Sequence, residues 1–135
     1  CAAGLAVQQT IQEEGLLDNV RAMGDLLANS LNQRFAEHPN VGDIRVRGLF
    51  AGVELVADRA SKKPLPSSFA IHTLIKRHAM ALGLACYPGG GTVDGLNGNH
   101  VLLAPPYIVN HRHIAEITDK LGGAIDAALQ EVGVL

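Results

Sequence analysis

The stretch GLACYPGGGTVDGLNGNHVLLAPPY, from Gly83 to Tyr107, decides how this chain folds. It opens with an apolar run, Leu84 to Tyr87, and closes with a second, Val101 to Ala104, which ends in two prolines. Short apolar runs bounded by glycine and proline are typical of buried strands, so we predict two strands joined by an irregular loop, Gly89–Asn99. A compact domain rarely carries so long a loop unless it covers something, which makes this loop a candidate functional segment.

Four helices are predicted around these strands because apolar residues recur at helical period. The predicted ranges are Ala2–Glu14, Leu16 to about Phe35, Phe69–Leu82, and a last helix that starts after Asn110 and carries the stripe Ile114, Ile117, Leu121, Ile125, Ala128 and Val132. Ser67 or Ser68 is expected to cap the third helix, and Gly83 to end it.

A second pair of strands is predicted between Val41 and Val56, where apolar and polar residues alternate. Gly48 interrupts the alternation and predicts a tight bend or bulge. Glu54 is the one carboxylate on the second, mainly apolar strand, and we expect it to face solvent or to pair with Arg45 or Arg47 across the sheet.

The order α-α-β-β-α-β-β-α predicts one α/β (α+β) domain over residues 1–135, with helices packed on a small mixed or antiparallel sheet. Where the helices contact the sheet, the buried layer should contain apolar residues that the helical period and the strand alternation place inside: Leu27, Leu31, Val53, Leu55, Leu121 and Ile125.

Composition excludes several classes of protein. The 135 residues are 47% hydrophobic and 18% charged with net charge −2, as in a globular domain. No apolar run approaches the length of a membrane span, so no membrane partner is predicted. Scattered basic residues, no Trp, two Tyr and three Phe argue against nucleic acid. Two cysteines make no disulfide framework, and a reducing cytoplasm is expected.

The chain shows no catalytic set and no metal site. The glycines at 89–91 precede neither a lysine nor a helix, which excludes a phosphate-binding P-loop. His111 and His113 are expected to be solvated histidines at a helix start, since no carboxylate cluster accompanies them. No lysine has the setting of a desolvated Schiff-base lysine. The uncapped first residues, Cys1 to Val7, indicate the middle of a helical segment, so we expect a fragment of a longer protein.

Three stretches together resemble the class III aminotransferases, which depend on pyridoxal phosphate. The segment Val46–Leu55 resembles their "RGxGLxxGIEL" block. The segments Gly83–Pro88 and His100–Val109 look like their C-terminal "GL…P…aPPlii" block. The segment Cys1–Ala6 resembles the start of the helix after their "HP" motif, so the resemblance covers essentially the whole chain.

The resemblance implies that this chain is the C-terminal small domain of a fold-type-I, ω-transaminase-like enzyme. The cofactor-binding large domain, with its lysine, would lie upstream and act as the partner. The complete enzyme would transfer an amino group from an amine or ω-amino acid to a 2-oxo acid, as a cytoplasmic homodimer. The chain alone would bind no pyridoxal phosphate and be inactive.

The same resemblance points to residues of a substrate pocket: Tyr87, Pro88, Gly90, Leu102, Pro105, Pro106 and Tyr107. Relatives that act on α-amino acids often have an arginine two residues before Ala-Pro-Pro, where this chain has Leu102. Other relatives carry a mobile arginine in the preceding loop, and Gly89–Asn99 contains no Arg or Lys. An amine or ω-amino acid therefore fits better than a simple α-amino acid.

Two alternatives remain open. A stand-alone binding or interaction module could use the same fold. An enzyme of another class could use His100, His111 or Glu54. The identities of the amine and the oxo acid are not readable from these residues.

Overall fold

The computed structural model describes residues 1–135 as four helices and four strands. Their bounds are α1 Ala2–Glu13, α2 Leu16–Arg34, β1 Val41–Arg47, β2 Phe50–Leu55, α3 Ile71–Ala81, β3 Tyr87–Gly90, β4 Asn99–Leu103 and α4 His111–Glu131. The predicted order of elements is confirmed, and α1 and α2 each end one residue earlier than predicted.

The strands form one sheet in the order β1-β2-β4-β3, and every pairing is antiparallel. Of the two sheet types that the sequence left open, mixed and antiparallel, the molecule has the antiparallel one. The predicted α/β (α+β) class is confirmed. Gly48 lies in the turn between β1 and β2 with a φ of 56°, which accounts for the predicted bend.

Helices cover one face of the sheet, and the core lies between them. All six residues predicted for the contact layer are buried: Leu27, Leu31, Val53, Leu55, Leu121 and Ile125. Leu82, predicted as the last residue of the third helix, lies beyond α3, which ends at Ala81, and is 45% exposed. No helix is both long enough and apolar enough to cross a membrane.

Two helix ends follow the predicted chemistry. The Asn110 side chain accepts a hydrogen bond from the His113 backbone N–H at 3.1 Å, and His113 Nδ1 accepts one from the Asn110 N–H at 3.3 Å, so α4 begins with a capping box. Gly83 follows α3 with a φ of 76° and reverses the chain, so the Leu84 N–H donates a hydrogen bond to the Ala79 carbonyl at 2.8 Å.

The predicted cap of α3 is wrong. Ser67 and Ser68 belong to a single 3₁₀ turn, Ser67–Phe69, and neither side chain caps a helix. Ala70 follows in the left-handed region and takes the N-cap position, so α3 starts at Ile71 and not at Phe69.

The predicted position of the third strand is also wrong. The apolar residues Leu84–Cys86 connect α3 to the sheet, because the turn at Gly83 directs Leu84 into the core. The strand itself, β3, contains Pro88 and two of the glycines that were predicted to be loop. Proline is tolerated there because β3 is an edge strand.

Helix α2 lies directly on the turn between β1 and β2. A Cβ added to Gly24, in the middle of α2, would stand 2.6 Å from the Gly48 carbonyl oxygen. The helix can approach the turn so closely only because Gly24 has no side chain. This contact fixes the turn against the helix layer.

Replacing Gly24 with alanine should therefore destabilise the fold by about 1–3 kcal/mol, since backbone atoms cannot rotate away from the new methyl group. Gly123→Ala in α4 is the matched control, because its Cβ would meet only Leu82 Cδ1 at an ordinary 3.6 Å. The control should stabilise the protein by up to about 1 kcal/mol through helix propensity. Denaturant melts measure the free energy of unfolding of both variants. If both substitutions changed it in the same direction, the assigned contact would be contradicted.

Candidate functional site

The antiparallel register builds the face of the sheet that the helices leave open. Directly opposed residues share a face, so one row across the sheet is Arg45, Gly52, Leu102 and Tyr87. The neighbouring row is formed by Asp43, Glu54, His100 and Gly89. The alternate residues of β2 and β4, among them Val53 and Val101, point into the core.

A groove of about 460 Å³ crosses this open face. Gly52 lies in the middle of its row and leaves space between Arg45 and Leu102, since its missing Cβ would meet only Leu102 Cδ2, at 3.5 Å. Such a volume is in the range of small-molecule sites. The other residues that line the groove are Val46, Arg47, Phe50, Val53, Glu54, Thr92, Val93 and His100.

The loop between β3 and β4 forms one wall of the groove through Thr92 and Val93. It is shorter than predicted, residues 91–98, because the strands take both ends of the predicted Gly89–Asn99 loop. The Gly91 N–H donates to the Gly98 carbonyl at 2.8 Å, and the Val93 N–H donates to the Asn97 carbonyl at 2.9 Å. Backbone hydrogen bonds therefore define the shape of this loop.

Asp94 holds the tip of the loop together. Its Oδ1 accepts the backbone N–H groups of Asn97 at 2.7 Å and Leu96 at 2.9 Å, and its Oδ2 accepts the Asn97 side-chain amide at 2.8 Å. These bonds, the Asn97 backbone N–H first, lower the pKa of Asp94 from 3.8 to about 2.

Loop order should consequently depend on the Asp94 charge. Because the folded pKa lies below the unfolded one, the contribution of Asp94 is complete above 3.8 and is lost as the pH falls towards about 2. Amide exchange and chemical shifts of Leu96 and Asn97 should change over that interval. Asp94→Ala should abolish the pH-dependent change, and an unaltered titration in this variant would show that another group is responsible.

A histidine ring packs against each of the two glycines of β3, and the two rings lie on opposite faces of the strand. A Cβ on Gly89 would stand 2.6 Å from His100 Cε1, on the open face. A Cβ on Gly90 would stand 2.8 Å from His72 Nδ1, a ring nitrogen that lies 3.3 Å from Asn99 Oδ1. The glycine run thus allows two imidazoles to lie against the strand, and His100 Nδ1 is buried there without a hydrogen-bond partner.

The charges of the groove are unevenly compensated. Arg45 pairs with Asp43 at 2.9 Å and, as predicted, with Glu54 at 3.5 Å. Arg47 has no acidic side chain within ion-pair distance. It faces Phe50 across the β1–β2 ladder, and Phe50 is 56% exposed. The groove therefore has one uncompensated cation beside an aromatic ring.

The seven residues predicted for a substrate pocket do not form one site. Leu102 is half-buried in the groove, while its neighbour Leu103 is in the core. Tyr87 lies beside Leu102 in the same row and is 71% exposed. Pro88 and Gly90 lie in β3, the edge strand next to β4.

The remaining three residues lie elsewhere. Pro105 and Pro106 line a separate cavity of about 290 Å³ between the end of α3 and the start of α4. Tyr107 faces the junction of α1 and α2. Asn19 of α2 holds this segment by donating to the Tyr107 carbonyl at 2.6 Å and the Val109 carbonyl at 2.9 Å.

No pattern in the sequence brings Arg47, Phe50, Gly52 and His100 together with Leu102 in one groove. The alternation along β1 places Arg45 and Arg47 on one face. Only the register between β2 and β4 shows that Leu102 lies on that same face.

Covalent attachment of pyridoxal phosphate requires a lysine with a free amino group. No lysine lines the groove, and Lys120, at the cavity of Pro105, is held by Glu116 at 2.6 Å. Lys62 donates to the Gly42 carbonyl. No group of three or more His, Cys, Asp or Glu side chains comes together as a metal site.

Comparison with known proteins gives consistent matches. The family model "Aminotransferase class-III" matches residues 1–125. An uncharacterized aminotransferase of Schizosaccharomyces pombe is 41% identical over 96% of this chain and 28% of its own length. The hypotaurine/taurine–pyruvate aminotransferase of Paracoccus denitrificans is 38% identical over 96% of this chain and 27% of its own length.

A solved structure of a Bacillus anthracis aminotransferase aligns with a TM-score of 0.83 and 34% identity, over 94% of this chain and 28% of its own. The chain thus spans about a quarter of the length of the curated relatives that it matches.

Proposed function

Since this chain belongs to the class III aminotransferases, we propose that it forms the C-terminal small domain of a pyridoxal-phosphate-dependent transaminase. The complete enzyme moves an amino group from an amine or ω-amino acid to a 2-oxo acid. The family match over residues 1–125 carries this proposal. Three relatives are named taurine–pyruvate aminotransferase, so ω-amino sulfonates belong among the candidate donors.

Within that enzyme, the groove on the open face of the sheet would be a wall of the substrate pocket. Its size, about 460 Å³, and its mixture of apolar and charged side chains support this role. Leu102 and Phe50 would contact the carbon skeleton of the substrate and exclude water. The loop of Val93 would close one side.

The other components of the active site would belong to the large domain, the proposed partner of this chain. The large domain would supply the lysine and the remaining cofactor contacts, because this chain has no suitable lysine at the groove. When bound, the cofactor accepts the amino group from the donor and passes it to the oxo acid. The homodimer and the cytoplasmic location stay predictions.

The proposal predicts activity only when both domains are present. The protein expressed from its full reading frame should convert pyruvate and an amine or ω-amino acid into alanine. The 135-residue chain, incubated with pyridoxal phosphate and reduced with borohydride, should show no stoichiometric lysine adduct by mass spectrometry. A specific adduct on this chain, or a full-length protein that transfers no amino group, would contradict the proposal.

Filling the floor of the groove tests its role as a pocket wall. Gly52→Val places a β-branched side chain in a strand, where it is tolerated, and its Cβ meets Leu102 at an ordinary distance of 3.5 Å. The full-length variant should keep its melting temperature but lose activity towards bulky donors by roughly tenfold relative to small ones, the effect of a 1–2 kcal/mol steric penalty. An unchanged ratio of kcat/KM between large and small donors would show that the substrate does not enter the groove.

A further inference from the structure

We propose that the groove on the open face binds the acid group of a small organic anion, a carboxylate or a sulfonate, and that Arg47 is the cation that holds it. This inference deepens the proposed function and rests on it: the anion would be the acid end of the ω-amino donor or of the 2-oxo acid.

The first support is the charge pattern. Arg45, the other arginine of the groove, is compensated by Asp43 at 2.9 Å and Glu54 at 3.5 Å. Arg47 lines the same groove and has no such partner. An uncompensated guanidinium at a groove favours an anion, and its planar donors match the two oxygens of a carboxylate or sulfonate.

The second support is the rigidity of the strand end that carries Arg47. Arg47 is the last residue of β1 and pairs with Phe50, the first residue of β2. The turn between them lies against Gly24 of α2, where the two backbones are in contact. A guanidinium on a fixed backbone loses less conformational freedom when it binds than one on a mobile loop.

The third support is the apolar surface beside the cation. Phe50 is 56% exposed next to Arg47, and Leu102 and Val93 line the groove further along. A ligand with an acid group and a short carbon skeleton would contact both the cation and the apolar surface. A polyphosphate or a nucleic acid would need several uncompensated cations, and the groove offers one.

The positions of Arg47 and Leu102 relative to each other agree with this assignment. Leu102 and Arg47 come from different strands, β4 and β1, but both line the same groove. Arg47 could therefore hold an acid group from the opposite side of that groove.

Three probes that share one skeleton test the proposal directly: 3-phenylpropanoate, 3-phenylpropane-1-sulfonate and 3-phenylpropan-1-amine. In NMR titrations of the full-length protein, the two acids should saturably shift the backbone amide signals of Phe50, Gly52 and Leu102, and the amine should not. Arg47→Gln should weaken the binding of both acids roughly tenfold, as expected for the loss of one charged hydrogen-bonded pair. Arg47→Lys should restore part of it, because it keeps the charge.

Arg112→Gln is the matched control, since it removes the same charge from an exposed site at the start of α4. Its acid affinity should stay within about twofold of that of the unmodified protein. Equal affinities in Arg47→Gln and the unmodified protein would overturn the proposal. Equal shifts with the amine, or no saturable shift up to about 100 mM acid, would also overturn it.

The readout separates this inference from the proposed function. Binding is measured by amide shifts and needs no turnover. Acid binding through Arg47 in a full-length protein that transfers no amino group would overturn the proposed function alone. Amino transfer with an unchanged KM for the acid substrate in Arg47→Gln would overturn the role of Arg47 alone.

Discussion

The alternation of side chains along β2 is the constraint on which the rest of the structure depends. This strand is hydrogen-bonded on both sides, to β1 and to β4. Its residues Ala51, Val53 and Leu55 are buried against the helices, so Gly52 and Glu54 must face the other way. A shift of register by one residue would exchange the two sets, expose the core and fill the groove.

Several glycines of this chain permit a close contact or leave a space that a side chain would fill. Gly24 allows α2 to rest on the β1–β2 turn, and Gly52 leaves the floor of the groove open. Gly89 and Gly90 accommodate the rings of His100 and His72. These glycines act between segments that are distant in sequence. Seven others have a positive φ and serve turns, loops and helix ends: Gly15, Gly48, Gly83, Gly91, Gly95, Gly98 and Gly133.

Element order, most helix ends and the core were predictable, because they follow from periodicity and capping chemistry that act within a few residues. The resemblance to the class III aminotransferases added the family, which periodicity alone does not identify. The errors arose where local signals competed. The apolar run Leu84–Cys86 has the composition of a strand, yet the turn at Gly83 uses it as a connector, and the glycine-rich segment after it became β3.

By itself, the sequence determined which residues are apolar at helical or strand period, and thus the four helices, three of the four strands and the buried set that includes Leu27, Val53 and Leu121. Only the tertiary structure decided which residues share the groove. Arg47 and Leu102 lie on different strands, and their common location depends on how β2 pairs with both neighbours. The alternation along each strand decides which side chains face the core, but the pairing of β2 with the distant β4 depends on packing and long-range hydrogen bonds.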